Sequence, residues 1–457
     1  MRSKAPERTL MSRLPNILFF LPDQHRPDWL GGRADLPLRT PNLDRLAAQG
    51  VRFRNAVTPS PLCAPARACL ASGCDYDQCH VASNRDNYPL DLPTHYQRLR
   101  DAGYRVCGVG KFDLHKASLD WGLDGSRLLT EWGFTEGIDS EGKLDGSSSY
   151  RNAGRPMGPY LAFLHSRGLA ERYVLEHAQR AQWRDAYVTA LPEDAYGDNW
   201  VAENGLRFLR HFPRGKPWYL VVNFPGPHNP MDVTRRMADA WEGISFPPPF
   251  GNDQPGYTPE DHQRIRRHYA AMIENIDRQV GRFLDLVRER GEEHETLIVY
   301  ASDHGEMLGD HNLWGKKSWH WPSSGIPLII AGPGVLRNHV SDAPVSLHDL
   351  AATFLDYASA PPLPQAGARS LRPLLEGQPA APRAVAVSGL GGWRMAFDGR
   401  FKLVVERAHP DRLFDRAEDP WETRNLAADR RFDASRLKEA LREALSRETS
   451  VEKEALP

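Results

Sequence analysis

Cysteine is scarce in this chain and odd in number, with five among 457 residues, at Cys63, Cys69, Cys74, Cys79 and Cys107. No two have the C-x-x-C spacing of a structural zinc site, and an odd, unpaired set argues against a disulfide framework. Reduced thiols are expected. Long apolar runs are missing as well. The run Ile17-Leu18-Phe19-Phe20-Leu21 ends at once in Pro22-Asp23. That is too short for a signal-peptide core or a membrane span, so a cytoplasmic protein without membrane association is expected. Neither sign of charge is in excess: 58 Lys plus Arg stand against 59 Asp plus Glu, for a formal net charge of -1. No basic footprint for nucleic acid or an anionic lipid surface results, and any charge that matters is local. Repeats and low-complexity tracts are also absent, which sets aside solenoids and arrays.

What is present is an alternation of short apolar runs with amphipathic stretches, the pattern of an α/β domain with a large, mostly parallel sheet flanked by helices. At this length a smaller second domain is expected beside it. The informative feature is the polar group just past the end of each run. Residues 16–21 lead into Asp23-Gln24, residues 104–109 into Gly110-Lys111, residues 218–224 into His228, and residues 296–301 into Asp303-His304. Singly, each of these is as readily a turn former or a helix cap. In an open α/β sheet, however, ligands bind beyond the carboxyl ends of the strands, so groups far apart in sequence can meet at one site.

Helices fit between the strands. Thr40-Pro41 is expected to open one, with Leu43, Leu46 and Ala47 on a face and Gly50 at its end, and Thr258-Pro259-Glu260-Asp261 to open a long one. Along the second, Ile265, Tyr269, Met272, Ile276, Val280, Phe283 and Val287 recur at three- and four-residue steps and read as a core stripe. Residues 1–13 read as a flexible tail and 14–365 as the main α/β domain, within which 140–200, with Gly146 to Ser149 and many charges, is an insertion. After the Pro-rich stretch 360–364, residues 366–457 read as a smaller α+β domain with an antiparallel sheet. Its hairpin is signalled by the runs 393–397 and 401–405 joined around Asp398-Gly399, and its closing charged helix by 433–447.

The string Cys63-Ala64-Pro65-Ala66-Arg67 has the context of a helix start. Pro65 suits the first helical position, 66–72 is helix-friendly, and Gly73 suits a C-terminal cap. Cys63 would then sit at the positive end of a helix, where a thiolate or an anion is stabilised. Asp23, Gln24, Asp303 and His304 offer two carboxylates, an amide oxygen and an imidazole, a mostly hard donor set that suits Ca²⁺, Mg²⁺ or Mn²⁺. Arg67, Lys111, His228 and Lys316 are cationic or able to become so. Such a cluster suits a tetrahedral oxyanion: a metal neutralises oxygens of a transferring sulfuryl or phosphoryl group, Lys and Arg hold others, and a His protonates the leaving oxygen. The nucleophile this motif supplies is Cys63.

Over nearly its whole length the chain resembles the type I, formylglycine-dependent sulfatases of the alkaline phosphatase superfamily. Besides the C-x-P-x-R string, the matching blocks stand in the family's order: Pro15-Asn16-Ile17-Leu18 through Asp23-Gln24, Thr40-Pro41-Asn42-Leu43-Asp44-Arg45-Leu46-Ala47, Gly110-Lys111, and Pro227-His228. They continue with Ser302-Asp303-His304-Gly305-Glu306, Gly309-Asp310-His311, Gly315-Lys316, and a tail of Leu413-Phe414-Asp415, Asp419-Pro420-Trp421-Glu422 and Asn425-Leu426. The resemblance implies an alkaline-phosphatase-like sandwich whose residues 14–365 form the catalytic domain. In that family a formylglycine-generating enzyme oxidises the cysteine, the hydrated aldehyde attacks sulfur, and its second hydroxyl expels sulfate by re-forming the aldehyde. By resemblance Cys63 is the modified residue and nucleophile, and Arg67 steadies the hydrate. Asp23, Gln24, Asp303 and His304 would hold one divalent metal, Ca²⁺ ahead of Mg²⁺ or Mn²⁺, while Lys111, His228 and Lys316 grip sulfate and the ester oxygen. The implied partners are the maturation enzyme and a small-molecule or saccharide sulfate ester.

This sequence departs from the family at two points. Many sulfatases have a histidine two residues after the first lysine, where this chain has Asp113 with His115 two further on, and His115 is a candidate for that role. Ala66 stands where serine is common in the maturation signal. The Gln24 and His304 pair also occurs in the similar phosphonate monoester hydrolases and phosphodiesterases, which are the alternative reading, while Lys111 favours the sulfatases. The leaving group, whether aryl, alkyl, choline or sugar, and the formation of a homo-oligomer are open at this level. Trp314, Trp319 and Trp321 flank Lys316 and are candidates to stack on a ring.

Overall fold

A computed structural model describes residues 14–179, 183–251, 256–364, 367–379 and 383–446. The expected tail 1–13, the expected boundary at 365–366 and Arg447 of the expected last helix lie outside the described residues.

Eight strands form the main sheet: β1 Asn16–Phe20, β2 Gly50–Phe53, β3 Arg105–Gly110, β4 Glu136–Asp139, β5 Trp218–Asn223, β6 Thr296–Ala301, β7 Leu328–Ala331 and β8 His339–Ser341. Their order is β8-β2-β7-β6-β1-β5-β3-β4. Only β7 runs antiparallel to its neighbours, so the sheet is mixed and mostly parallel, as the alternation of runs and helices predicts. Parallel strands covered on both faces lose the in-out polarity of a half-exposed strand, which is why β1 is apolar at nearly every position. Its two-residue period still divides it between layers. Ile17 and Phe19 pack with α2 (Cys63–Ser72) and α6 (Asp349–Tyr357) on one face. Leu18 and Phe20 pack with α1 (Pro41–Ala48), α4 (Gly197–His211) and α5 (Pro259–Glu289) on the other.

The long helix α5 begins at the predicted place, with Thr258 and Asp261 closing a reciprocal cap. Its stripe is core throughout: Ile276, Val280, Phe283 and Val287 lie on the sheet, and Ile265, Tyr269 and Met272 pack with Trp29 and Trp241. Gly50 is not the end of α1. Gln49 takes that place and Gly50 opens β2, where a Cβ would lie 2.1 Å from the carbonyl oxygen of Ile330 on β7. The described residues within 140–200 form a lobe. Gly146 to Ser149 lie inside α3 (Lys143–Ala153), and the lobe has its own core of Tyr160, Leu161, Leu164, Tyr173 and Leu191. All five cysteines are buried thiols outside any disulfide. Among the described residues no helix is long and apolar enough to cross a membrane.

The C-terminal part is a four-stranded antiparallel sheet of β9 Ala386–Leu390, β10 Trp393–Phe397, β11 Phe401–Glu406 and β12 Arg412–Asp415, in chain order. Helix α7 (Arg431–Ser446) covers it through Leu437 and Leu441. The expected hairpin turns where Asp398 Oδ1 accepts from Arg400 N at 2.9 Å and Phe401 N at 2.7 Å.

This sheet reaches the main domain through a buried ion pair. Lys402 on β11 pairs with Glu422 and donates to Trp319 O at 2.8 Å, while Glu422 Oε2 accepts from Trp321 N at 2.9 Å. The two side chains thus grip the backbone of residues 319–321. The next residues hold the other end of the chain's charged loop, since Pro322 O accepts from Glu306 N at 2.7 Å and Ser323 O from Gly305 N at 2.9 Å. Burial works to raise the Glu422 carboxyl, but Lys402, His320 and Arg416 outweigh it and hold it at about 2. Burial pulls the Lys402 ammonium down to about 8 despite Glu422. Removing one member of such a pair leaves a buried charge uncompensated. Glu422→Ala is therefore expected to destabilise the protein by about 3–5 kcal/mol in chemical denaturation. Because the folded value of Glu422 lies below its ordinary 4.5, its contribution is present above about pH 4.5 and lost as pH falls towards about 2. The wild type should accordingly lose stability over that window more steeply than the variant.

Candidate active site

Strands β6, β1, β5 and β3 are adjacent and parallel, so the residues beyond their carboxyl ends share one edge of the sheet. Backbone bonds continue past the strands and fix the spacing: Asp23 N donates to Phe224 O at 3.1 Å and Lys111 N to Asn223 O at 3.0 Å. Gln24 adopts a left-handed backbone with φ of 70°, a conformation that costs a non-glycine residue of order 1–3 kcal/mol and persists only where neighbours impose it. Here Asp303 Oδ1 accepts from Gln24 N at 3.0 Å, and Tyr269 Oη donates to Gln24 O at 2.6 Å.

Helix α2 points its N-terminus at the same edge. It begins at Cys63, two residues earlier than Pro65 suggests, and ends at Gly73 in the left-handed conformation, as predicted. Proline is tolerated at the third position because the first four N–H groups of a helix have no intrahelical acceptor. Asn84 Oδ1 accepts one of these, from Ala64 N at 3.0 Å. Every residue of α2 is buried, so Cys63 faces its partners away from bulk water.

Those partners form a tight charged cluster. Cys63 Sγ lies 2.9 Å from Lys316 Nζ, 3.3 Å from His304 Nε2 and 3.8 Å from Asp23 Oδ1. His228 is a further neighbour of Cys63. Burial and Asp23 both work against a thiolate, yet Lys111, Lys316 and His304 outweigh them and hold the Cys63 thiol well below its ordinary range. The position is built for negative charge. Lys111 Nζ pairs with Asp23, and Arg67, four residues after Cys63 on α2, donates from Nε to Asp303 Oδ2 at 2.9 Å and from Nη1 to Lys111 O. Arg67 Nη2 is a buried donor with no partner among the described residues.

Asp23, Cys63, Asp303 and His304 bring one donor atom each within 4.8 Å of one another. His304 donates from Nδ1 to Gly305 O at 3.1 Å, which leaves the Nε2 lone pair for the cluster. Glu306 takes the Gln24 amide NH₂, so Gln24 Oε1 faces inward, 2.7 Å from Lys316 Nζ. Two carboxylates, an amide oxygen and an imidazole nitrogen thus fit a hard divalent cation.

Residues 15–360 match the Sulfatase family. The chain is 30% identical over 453 residues to a choline-sulfatase of Rhizobium meliloti (strain 1021), covering 90% of this chain and 82% of that protein. It is 26% identical over 370 residues to an arylsulfatase of Clostridium perfringens (strain 13 / Type A), covering 75% of each. Among solved structures it is similar to the phosphonate monoester hydrolase of Agrobacterium radiobacter, with a TM-score of 0.76, 25% identity, and coverage of 97% of this chain and 96% of that one. The chain belongs to the sulfatase family.

In this sulfatase, a sulfuric ester hydrolase of the alkaline phosphatase superfamily, nine of the ten predicted residues come together: Asp23, Gln24, Cys63, Arg67, Lys111, His228, Asp303, His304 and Lys316. His115 does not. It precedes a short turn at Lys116–Ser118, and beyond its partial burial its electrostatic neighbours are Arg127 and Asp120. The adjacent Lys116 is turned inward instead, because Asp113 Oδ2 holds its Nζ at 2.9 Å and Asp145 Oδ2 at 2.5 Å. Asp113 Oδ2 also lies 3.0 Å from Lys111 Nζ, so a row of alternating charges runs Asp23, Lys111, Asp113, Lys116, Asp145. Of the three tryptophans, Trp314 lines the pocket, whereas Trp319 packs on Phe414 and Trp321 is buried against Phe397.

Glu306 escaped assignment although it stands inside the motif that flags Asp303 and His304. Its Oε1 accepts from Leu308 N and Gly315 N, both at 2.8 Å, while Oε2 orients Gln24. Asn84 and Asp145 had no local signal at all. Glu306→Gln sets an amide NH₂ against donors that the carboxylate accepts. It is expected to lower kcat/KM on a sulfate ester by roughly 10–100-fold, as outer-shell changes at metal sites do, in steady-state assays on folded protein.

Proposed function

We propose that this protein hydrolyses sulfate monoesters, releasing inorganic sulfate and an alcohol or phenol, by way of a formylglycine made from Cys63 and one divalent cation. The observation that supports this best is the position of Cys63: buried, at a helix N-terminus, and surrounded by Lys316, His304, His228 and the Lys111–Asp23 pair. The unpartnered buried donor of Arg67 fits an oxygen-bearing group at that position better than a thiol. Formylglycine at residue 63 would supply a hydrated oxygen nucleophile there. Asp23, Gln24, Asp303 and His304 would hold the cation, with Ca²⁺ the best match to oxygen-rich donors, and its chemistry is neutralisation of charge on the sulfuryl oxygens.

The remaining steps belong to the chain's own groups. Lys111, just past β3, and Lys316, in the loop between β6 and β7, face the nucleophile and hold terminal sulfate oxygens. His228 donates from Nδ1 to Asn229 O at 2.5 Å, which directs Nε2 into the pocket towards the ester oxygen, where it hands over the leaving-group proton. Burial, then Lys316, lowers the affinity of His228 for its proton despite Asp23 and Cys63, which makes it a readier acid. Arg67 donates to Asp303, to the Lys111 carbonyl and to Asn223 Oδ1, and its work is to steady Asp303 and the modified side chain. Five buried thiols, none in a disulfide, support a reducing, cytoplasmic location.

A second reading, phosphonate monoester hydrolysis, is favoured by the likeness to the Agrobacterium radiobacter enzyme over 97% of this chain. Both reactions pass a tetrahedral group to one nucleophile, so a direct comparison decides. Protein co-expressed with a formylglycine-generating enzyme should show the aldehyde at residue 63 by peptide mass spectrometry and turn over an aryl sulfate faster than a phosphonate monoester. The reverse preference would install the second reading, and an unmodified thiol would leave both without a nucleophile. Cys63→Ala should abolish turnover while melting like the wild type. Chelation should remove activity and lower the melting temperature, because Asp23 and Asp303 lose a shared counter-charge, and Ca²⁺ should restore both.

A further inference from the structure

Lys111 is held by two buried carboxylates, and only one of them belongs to the set that would hold the cation. Its Nζ pairs with Asp23 and lies 3.0 Å from Asp113 Oδ2, and all three side chains are at most 3% exposed. Asp113 stands just past β3 in a left-handed backbone with φ of 56°, a conformation that a non-glycine residue keeps only where its surroundings impose it. Asp113 does not line the pocket, and no sulfuryl-transfer step uses it.

Asp23 serves two positive groups. Its Oδ1 faces the donor cluster, 3.6 Å from His304 Nε2 and 3.8 Å from Cys63 Sγ, while Oδ2 faces Lys111. With a divalent cation on Asp23, less of that charge is left for Lys111, and like charge opposes the ammonium from the same side. A buried ammonium still needs a counter-charge. Arg67, the partner of the other ligand carboxylate, has acceptors independent of Asp303, at Lys111 O and Asn223 Oδ1. Among the described residues Lys111 Nζ has no neutral acceptor of that kind, and its second anchor is Asp113.

Asp113 is equipped to be that anchor. Its Oδ1 is a buried acceptor with no partner among the described residues, so the carboxylate has room for another donor. Its own charge stays balanced if Lys111 shifts, because Lys116 Nζ lies 2.9 Å from Oδ2 and is held in turn by Asp145 at 2.5 Å. An ammonium has three N–H donors. Asp113 can take one and leave the others for Asp23 and a sulfate oxygen.

We infer that Asp113 is a positioning residue: it retains Lys111 beside the nucleophile when Asp23 turns its charge to the cation, and so favours loading of the metal. This rests on the reading in which Asp23, Gln24, Asp303 and His304 hold one divalent cation.

In the test, the folded Cys63→Ala protein, stripped of metal, is titrated with Ca²⁺ by calorimetry, so that maturation plays no part. Asp113→Asn should weaken Ca²⁺ binding by about tenfold or more, the range of outer-shell changes at metal sites. Asp113→Glu, which keeps the charge, should restore affinity to within about threefold of the parent. In a Lys111→Met background Asp113→Asn should weaken binding by no more than about threefold, because no ammonium is left to compete for Asp23. Both lysines keep a carboxylate in Asp113→Asn, Lys111 that of Asp23 and Lys116 that of Asp145, so the variant should fold. If it does not, a crystal structure of the Ca²⁺-loaded Cys63→Ala protein decides, with Lys111 Nζ expected within hydrogen-bonding distance of Asp113. An equal loss in both backgrounds would mark a through-space effect of charge, and unchanged affinity in Asp113→Asn a merely structural role. Either result, or Lys111 bonded to Asp23 alone in the loaded crystal, would overturn the inference and leave the sulfatase reading standing. Binding of none of Ca²⁺, Mg²⁺ and Mn²⁺ by the folded parent would overturn the cation reading together with the inference.

Discussion

The structure depends on the neutralisation of two buried carboxylates at the carboxyl edge of the sheet. Asp23 and Asp303 are fully buried, and unpaired they would cost more than a fold of this size can spare. Lys111 compensates one and Arg67 the other. These cations come from a third strand end and from helix α2, so the charge balance of the site also ties β1, β6, β3 and α2 together. Cys63 sits among these groups because α2 must approach closely enough for Arg67 to reach Asp303, one turn along the same helix.

That inner balance is supported from outside by a second one. Glu422 and Lys402 grip the backbone at residues 319–321, next to the pair of hydrogen bonds that fix Gly305 and Glu306. A Cβ at residue 305 would lie 1.9 Å from Pro322 O, so glycine is required for this close contact. The small C-terminal sheet is therefore coupled to the site through one segment that also contains Lys316. From another side the start of α3 places Asp145 beside Lys116.

Much of this was legible in the residues. The run of β1, the stripe of α5 and the Asp398-Gly399 hairpin are local patterns, where burial period and turn chemistry act over a few residues. Polar groups after apolar runs pointed to Asp23, Gln24, Lys111, His228, Asp303 and His304, because parallel strands share an edge. The expectations that needed correction each hinged on a long-range contact. Gly50 faces the Ile330 carbonyl instead of capping α1, α2 starts before Pro65 because Asn84 supplies an acceptor, and His115 yields its place to Lys116 because Asp113 and Asp145 draw the lysine inward.

By itself the sequence determined the layered α/β architecture, the family and which polar residues gather at one edge of the sheet, since these arise from short-range periodicity and from residue types at the ends of strands. Tertiary structure alone decided how those groups are oriented and what surrounds them. The inward turn of the Gln24 amide, the Nε2 lone pair of His304, the inward path of Lys116 and the stacking of Trp183 on Trp314 depend on partners up to hundreds of positions away. No local propensity encodes such contacts, because they form only when packing brings distant backbone and charge within hydrogen-bonding distance.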